Sequence, residues 1–203
     1  MSRTLEVGCA YGMSSLYICE ALRDRTGASH TIVDPMQMEV WKGIGVAQLE
    51  RAGIDFFELV NEPSELALPA LVRDGVPSFD LIFIDGWHTF DQVIVDLYYA
   101  DRLLREGGYI VVDDCTWASV SMAVAYFANY PAYRTVDDLP IASEGWQHSL
   151  ARAIRTLLPA RYAKRLIPEE LFTRGYSRIR YPSIVTFKKI ARDDRSWTWF
   201  EGF

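Results

Sequence analysis

Four side chains in the middle of the chain have types and spacing that suit chemistry. They are Asp85 and His88 in the run IDGWH, and the adjacent pair Asp113 and Asp114 in IVVDDC. Each set of acids closes an apolar run, Leu81 to Ile84 in the first case and Tyr109 to Val112 in the second. Carboxylates that converge repel one another unless a cation joins them, and a hard divalent metal is the simplest such cation. A hydroxyl bound to that metal loses its proton more readily, so the site would suit activation of an oxygen nucleophile. Asp85 and His88 stand three residues apart, and a helical turn after the strand would put both on one face. Asp113 and Asp114 cannot both face one site from a regular strand, because side chains alternate, so the chain must turn at Asp114. The plainer alternative leaves Asp114 as a helix cap, Asp113 held by backbone amides and His88 as a structural partner of a carboxylate.

A second cluster opens the chain. Glu6 lies in a short strand, Thr4 to Val7, that runs into Gly8-Cys9-Ala10-Tyr11-Gly12, after which Ser14 or Ser15 is expected to cap a helix. Glycines in such a turn let backbone approach a ligand, and the helix start offers free N–H groups. The spacing is GxxxG, with Ala10 where a dinucleotide fingerprint carries its middle glycine, so that fingerprint is not met. The next strand, His30 to Val33, ends in Asp34-Pro35. An acid at that point is placed to accept hydrogen bonds from ribose hydroxyls, its alternative being to start a turn before proline.

Alternating strands and helices must position both clusters. Between the two apolar runs, Val93, Leu97, Ala100, Leu103 and Leu104 fall at three- and four-residue spacings, and Gly107-Gly108 supplies the stop. Strand, helix, strand makes the two strands parallel neighbours and puts all three carboxylates on one edge of the sheet, where open α/β folds bind ligands. The pattern also predicts a helix from about Val46, a strand at Asp55 to Val60 and a short helix at Pro63 to Val72 that Pro69 should kink or shorten. Beyond Cys115 come a helix at Ala118 to Phe127 and strands at Tyr133 to Val136 and Ser183 to Ile190. The fold class expected is α/β, with a doubly wound, mostly parallel sheet. Residues 138–182 read as an irregular insertion containing one helix, from about Gln147 to Tyr162. The tail SWTWFEGF is too aromatic to sit comfortably in water and should pack on the domain or on a second subunit, which would make a homo-oligomer.

With 203 residues, half of them hydrophobic, the chain can bury one core as a single domain spanning 1–203. It shows no apolar run of membrane-spanning length, no signal-peptide pattern, and no CxxC pair among Cys9, Cys19 and Cys115. A cytoplasmic protein with three core thiols is the expectation. The net charge of −6 conceals an asymmetry, because residues 151–192 hold eleven Lys or Arg against only Glu169 and Glu170. That segment could face nucleic acid or an anionic substrate. A solvated face, or a patch docking on the acidic remainder of the chain or on a partner subunit, is the favoured reading.

On these residues the chain resembles the class I S-adenosylmethionine-dependent methyltransferases over Thr4 to Ala128, and its final strands fit that fold's terminal hairpin. The resemblance implies a seven-stranded Rossmann-like sheet ending in a C-terminal antiparallel hairpin. It implies that Glu6, Gly8 and Gly12, as ExGxxxG, hold the methionine part of the cofactor, that Asp34 binds the ribose, and that the loop Asn61 to Glu65, with Ser64, lies near the adenine. Asp85 would border the cofactor as well. A narrower resemblance is to the metal-dependent O-methyltransferases, among them the catechol, caffeoyl-CoA and macrolide-sugar enzymes. There an acid after the fourth strand and an acidic pair after the fifth hold Mg2+, matching Asp85, Asp113 and Asp114. The histidine of DGxH, matching His88, serves as base, so Asp85 and His88 would be the catalytic pair.

The implied function is divalent-metal-assisted O-methylation of a small hydroxylated molecule, a natural-product sugar or a polyhydroxylated aromatic. One alternative is a metal-independent methyltransferase with Asp85 and Asp113 as polar lining, and another is a non-catalytic cofactor-binding or scaffold protein. Nucleic acid is disfavoured as substrate, since no Asn-Pro-Pro-Tyr-like motif is present. The family's helical segment before the first strand would cover the cofactor; here three residues precede that strand. Either a longer start has been lost, or the cover is expected from another subunit or from residues 138–182, where Trp146 and His148 lie. His30 carries no functional argument.

Overall fold

Strong apolar strands separated by amphipathic helices fold into a single sheet covered on both faces. The computed structural model describes residues 1–76, 78–136 and 182–201. In chain order the elements are β1 (Arg3–Val7), α1 (Met13–Leu22), β2 (Ser29–Val33), α2 (Ile44–Arg51), β3 (Phe57–Val60), α3 (Ser64–Arg73), β4 (Phe79–Ile84), α4 (Phe90–Leu103), β5 (Leu104–Val112), α5 (Ala118–Phe127), β6 (Tyr133–Thr135) and β7 (Val185–Lys189). Among the described residues the sheet has seven strands in the order β3-β2-β1-β4-β5-β7-β6. β1 to β5 pair in parallel, while β7 runs antiparallel to both β5 and β6. This is the mostly parallel sheet with a C-terminal antiparallel hairpin expected from the sequence.

Parallel strands buried on both faces bury successive residues rather than alternate ones. β1 does so from Thr4 to Val7, and β2 from His30 to Val33. One core, built on Phe79, Ile82, Leu97, Ile110, Phe127 and Phe187, lies with α3, α4 and α5; the other gathers Cys9, Cys19, Ile32, Leu49 and Ile54 with α1 and α2. Each large side chain so buried contributes roughly 1.5–3 kcal/mol. The three thiols are all buried and free, and burial pushes that of Cys115 up to about 12. They are core thiols, as expected.

Four local expectations are corrected. Neither Ser14 nor Ser15 caps α1: Gly12, in the left-handed region, is the cap residue, and the Ser15 hydroxyl instead donates to the Glu6 carboxylate inside the core. α3 runs through Pro69 to Arg73. The bond that Pro69 cannot donate is to the carbonyl of Glu65, an exposed residue where water can replace it, while Ala67 and Leu68 stay buried. Gly107-Gly108 is not the end of α4, because β5 begins directly at Leu104, and the glycines fall in a register shift between Phe79 and Leu81 on the neighbouring strand. The tail splits: Trp199 packs against Tyr126 and Tyr130, whereas Trp197 is 97% exposed. The helix expected from Gln147 to Tyr162, and Trp146 and His148, lie outside the described residues. Among the described residues, no helix is long and apolar enough to cross a membrane.

Candidate active site

The carboxyl ends of β1, β2 and β4 open onto a cavity of about 510 Å³. Val7, Gly8 and Ala10 form one wall, Asp34, Pro35, Met36 and Trp41 a second, Pro63, Ser64 and Glu65 a third, and Asp85, Gly86, Trp87 and Gln92 the fourth. Its size is that of a small-molecule site.

The turn after β1 approaches its neighbours through backbone. A Cβ on Gly12 would stand 2.9 Å from Gly45 Cα, so the starts of α1 and α2 meet through two glycines. Asp34 holds the turn in place. Its Oδ2 accepts from the backbone N–H groups of Cys9 (3.1 Å) and Ala10 (3.0 Å), and its Oδ1 from that of Met36 (2.8 Å). Gln37 completes the brace: its amide donates to the Ala10 carbonyl at 2.9 Å and accepts from Gly45 N–H at 3.0 Å. Gln37 carried no signal in the sequence, because its role exists only once α2 is folded against the turn.

Glu6 and Gly12 do not line the cavity. Glu6 is fully buried behind the turn, where it accepts from Ser15 and lies 3.2 Å from His30 Nε2; His30 Nδ1 in turn meets Thr4 Oγ1 at 2.8 Å. The second oxygen, Glu6 Oε1, has no hydrogen-bond partner among the described residues. Glu6 and His30 therefore act on the turn from below. His30, which had no functional reading, is part of that support.

Ser64 does line the cavity, at the start of α3. Its hydroxyl accepts from Gln92 Nε2 at 2.9 Å, and Gln92 also reaches Glu65 at 3.1 Å. Beneath them Asp96 is fully buried, and burial pushes its carboxyl up to about 6 against hydrogen bonds from Ser64 and Gln92.

Of the three acids at the strand ends, Asp85 and Asp114 come together with His88, and the chain turns at Asp114 as the alternation argument required. Asp85 N–H donates to the Val7 carbonyl and Asp113 N–H to the Ile84 carbonyl, so the ladder carries both residues to the same edge. Asp114 takes φ +54°, the turn that lets two consecutive acids point differently. Such a conformation costs a residue other than glycine on the order of 1 kcal/mol. His88 Nε2 lies 3.3 Å from Asp85 Oδ1 and 3.5 Å from Asp114 Oδ2. One donor atom each from Asp85, His88 and Asp114 falls within 4.8 Å of the others. Asp113 is not in this set; its Oδ1 is turned back to the Asp114 N–H at 2.7 Å. Burial pushes the Asp85 carboxyl up to about 6, the hydrogen bond from His88 opposes the rise, and the charges of Asp113 and Asp114 add to it. Trp87 and Trp117, 62% and 56% exposed, flank the cluster, and the Trp117 ring centroid is 5.4 Å from that of His88.

A family model described as a methyltransferase domain matches residues 5–115. No curated protein sequence matches the chain. Among solved structures, the O-methyltransferase TomG of Streptomyces achromogenes, involved in tomaymycin synthesis and solved with SAM, aligns with a TM-score of 0.62 at 18% identity, over 93% of this chain and 73% of its own. A putative O-methyltransferase from Klebsiella pneumoniae gives 0.63 at 17% identity, over 94% and 74%. An O-methyltransferase from Bacillus cereus, solved with SAH, gives 0.58 at 19% identity, over 66% and 65%. At these identities the likeness is one of fold.

Proposed function

Since the chain belongs to the methyltransferase-domain family, we propose that it moves a methyl group from S-adenosylmethionine to a hydroxyl oxygen of a small molecule, assisted by a divalent cation. The observation that carries this reading is the double position of Asp85, which lines the cavity and also stands within reach of His88 and Asp114. One residue thereby joins the cofactor seat to the place where an acceptor oxygen would be activated. The O-methyltransferases that share the fold support the choice of oxygen.

The chain's own groups then divide the work. The Gly8–Ala10 turn lets backbone close on the methionine end, and the clamp from Asp34 keeps it in shape. A carboxylate has about four acceptor sites, and among the described residues Oδ1 of Asp34 accepts only from Met36 N–H, so it keeps capacity for a ribose hydroxyl. Ser64, Glu65 and Gln92 offer polar atoms to the adenine at the opposite wall. Trp87 and Trp117 give apolar faces for the ring of a sugar or a polyhydroxylated aromatic, which orients its hydroxyl toward the acids. The oxygen and nitrogen donors of Asp85, His88 and Asp114 fit a divalent cation, which when bound would lower the pKa of a hydroxyl attached to it.

A second reading keeps the transfer and omits the cation. His88, oriented by Asp85 at 3.3 Å, would then take the hydroxyl proton itself. Calorimetric titration of S-adenosylhomocysteine into the wild type and Asp85→Ala, each with Mg2+ and with chelator, tests both. Wild type that binds the cofactor product and also takes up Mg2+, against a variant that binds no metal, supports the cation-assisted transferase. Cofactor binding indifferent to metal in both proteins selects the second reading, and no cofactor binding at all overturns the enzyme assignment.

A further inference from the structure

We propose that His88 is itself a ligand of the cation, so that the centre is an Asp85–His88–Asp114 set with one nitrogen and two oxygen donors, suited to a first-row transition metal more than to Mg2+. This rests on the cation-assisted reading and changes both its ligand set and its metal.

Nε2 of His88 points between two carboxylates, at 3.3 Å from one and 3.5 Å from the other. A neutral nitrogen lone pair facing two carboxylate oxygens is repelled, so a proton or a metal ion must lie among the three atoms. Ligands about 2.1 Å from one ion, at tetrahedral or octahedral angles, stand roughly 3.0–3.4 Å apart. The two His88 contacts lie at the upper edge of that spacing and the third falls within 4.8 Å, so the three donors stand close enough to meet on one ion. Imidazole suits zinc, iron, copper and nickel, whereas an all-oxygen set suits magnesium and calcium.

The same geometry argues against Nε2 as the base, since a base must aim its lone pair at the acceptor hydroxyl and this one is directed at the acids. Asp113 stands outside the set of three donors, and its Oδ1 accepts from Asp114 N–H. The three donors come from the end of β4, the loop after it and the end of β5, and both loops are tied down. Ser119 Oγ donates to the His88 carbonyl, and Trp117 N–H donates to the Asp114 carbonyl at 2.9 Å. The histidine is held in place by the element that follows the acid pair.

Pulsed electron paramagnetic resonance of Mn2+ added to the full chain reads nitrogen coordination directly and does not depend on methyl transfer. Wild type should show strong coupling to a directly bound 14N nucleus. His88→Gln should lose that coupling and bind Co2+ about tenfold or more weakly, with a smaller loss for Mg2+. Asp113→Asn should retain the coupling and bind Co2+ within about threefold of wild type, while Asp114→Asn should not. Circular dichroism and thermal melts verify that each variant is folded. Bound Mn2+ without nitrogen coupling, or an Asp113→Asn loss as large as that of Asp114→Asn, overturns the proposal in favour of three carboxylates. Failure to bind any of the three ions overturns it as well. Nitrogen coupling with no methyl transfer to any hydroxylated acceptor leaves the ligand set standing and removes the proposed function.

Discussion

Gly8 and Asp85 meet backbone to backbone: a Cβ built on Gly8 would overlap the main-chain carbonyl oxygen of Asp85 and come within 2.7 Å of its carbon. The turn after β1 and the acid at the end of β4 are therefore one packed unit. Gly8 also has φ +87°, a region that an L side chain enters only with strain. Gly8→Ala must shift β1 away from β4 or twist the turn, and should cost about 2–4 kcal/mol, lowering Tm by roughly 5 °C or more. Binding of S-adenosylhomocysteine should be lost with it. Gly53→Ala is the control, because Gly53 has a similar φ of +71° but nothing within 4 Å of an added Cβ; it should cost only about 1 kcal/mol. Equal melting temperatures for the two variants would show that the Gly8–Asp85 contact carries no weight.

Asp96 predicts a stability that depends on pH. Its carboxyl is raised by burial from 3.8 to about 6 in the folded chain, and its Oδ2 has no hydrogen-bond partner among the described residues. Below pH 3.8 both folded and unfolded chains hold the proton, and this group adds nothing. Between 3.8 and 6 the unfolded chain releases it while the folded chain keeps it, so stability falls as pH rises through that window. Above pH 6 the penalty is constant at roughly 2–3 kcal/mol. Asp96→Asn should remove it, raising Tm at pH 8 by several degrees while changing it little near pH 4. Melting curves of both proteins across pH 4–8 check this, and parallel curves would exclude Asp96 as the source.

Much of this arrangement was legible because apolar runs ending in acids mark parallel strands, and alternation within a strand forces a turn between Asp113 and Asp114. The three-residue spacing of Asp85 and His88 likewise foretold their contact. Which of the paired acids turns inward was not legible, since either order satisfies alternation and the choice falls to the φ of Asp114. The end of α4 was misplaced at Gly107-Gly108 because Leu103 and Leu104 are both apolar and buried, one on the helix and one on the strand. Periodicity cannot divide such a pair. Gln37 and His30 were missed for a different reason: their partners are 27 and 24 residues away in sequence, and only the closed sheet brings them together.

Asp101, Tyr133 and Lys189 predict a test of how the terminal hairpin is anchored. Lys189 Nζ on β7 lies 2.9 Å from Asp101 Oδ1 on α4, and Tyr133 on β6 donates to the same oxygen at 2.8 Å. Both charged side chains are under a tenth exposed. Burial and the Asp101 charge hold the Tyr133 phenol well above its usual range, so it stays a donor. Lys189 is one of the eleven basic residues at 151–192, and it pairs with an acid of the same chain. Asp101→Ala leaves the Lys189 ammonium buried with, among the described residues, only the main-chain carbonyls at positions 101 and 104 as acceptors, and should cost about 3–5 kcal/mol. Lys189→Met should cost less, because Tyr133 still donates to the remaining carboxylate. The double variant removes both charges and should be more stable than Asp101→Ala alone, with a coupling of at least about 1 kcal/mol in a denaturant double-mutant cycle. Additive losses would mean that the ion pair is spectator to the packing of Phe127 and Phe187, and that the hairpin is held by its apolar face.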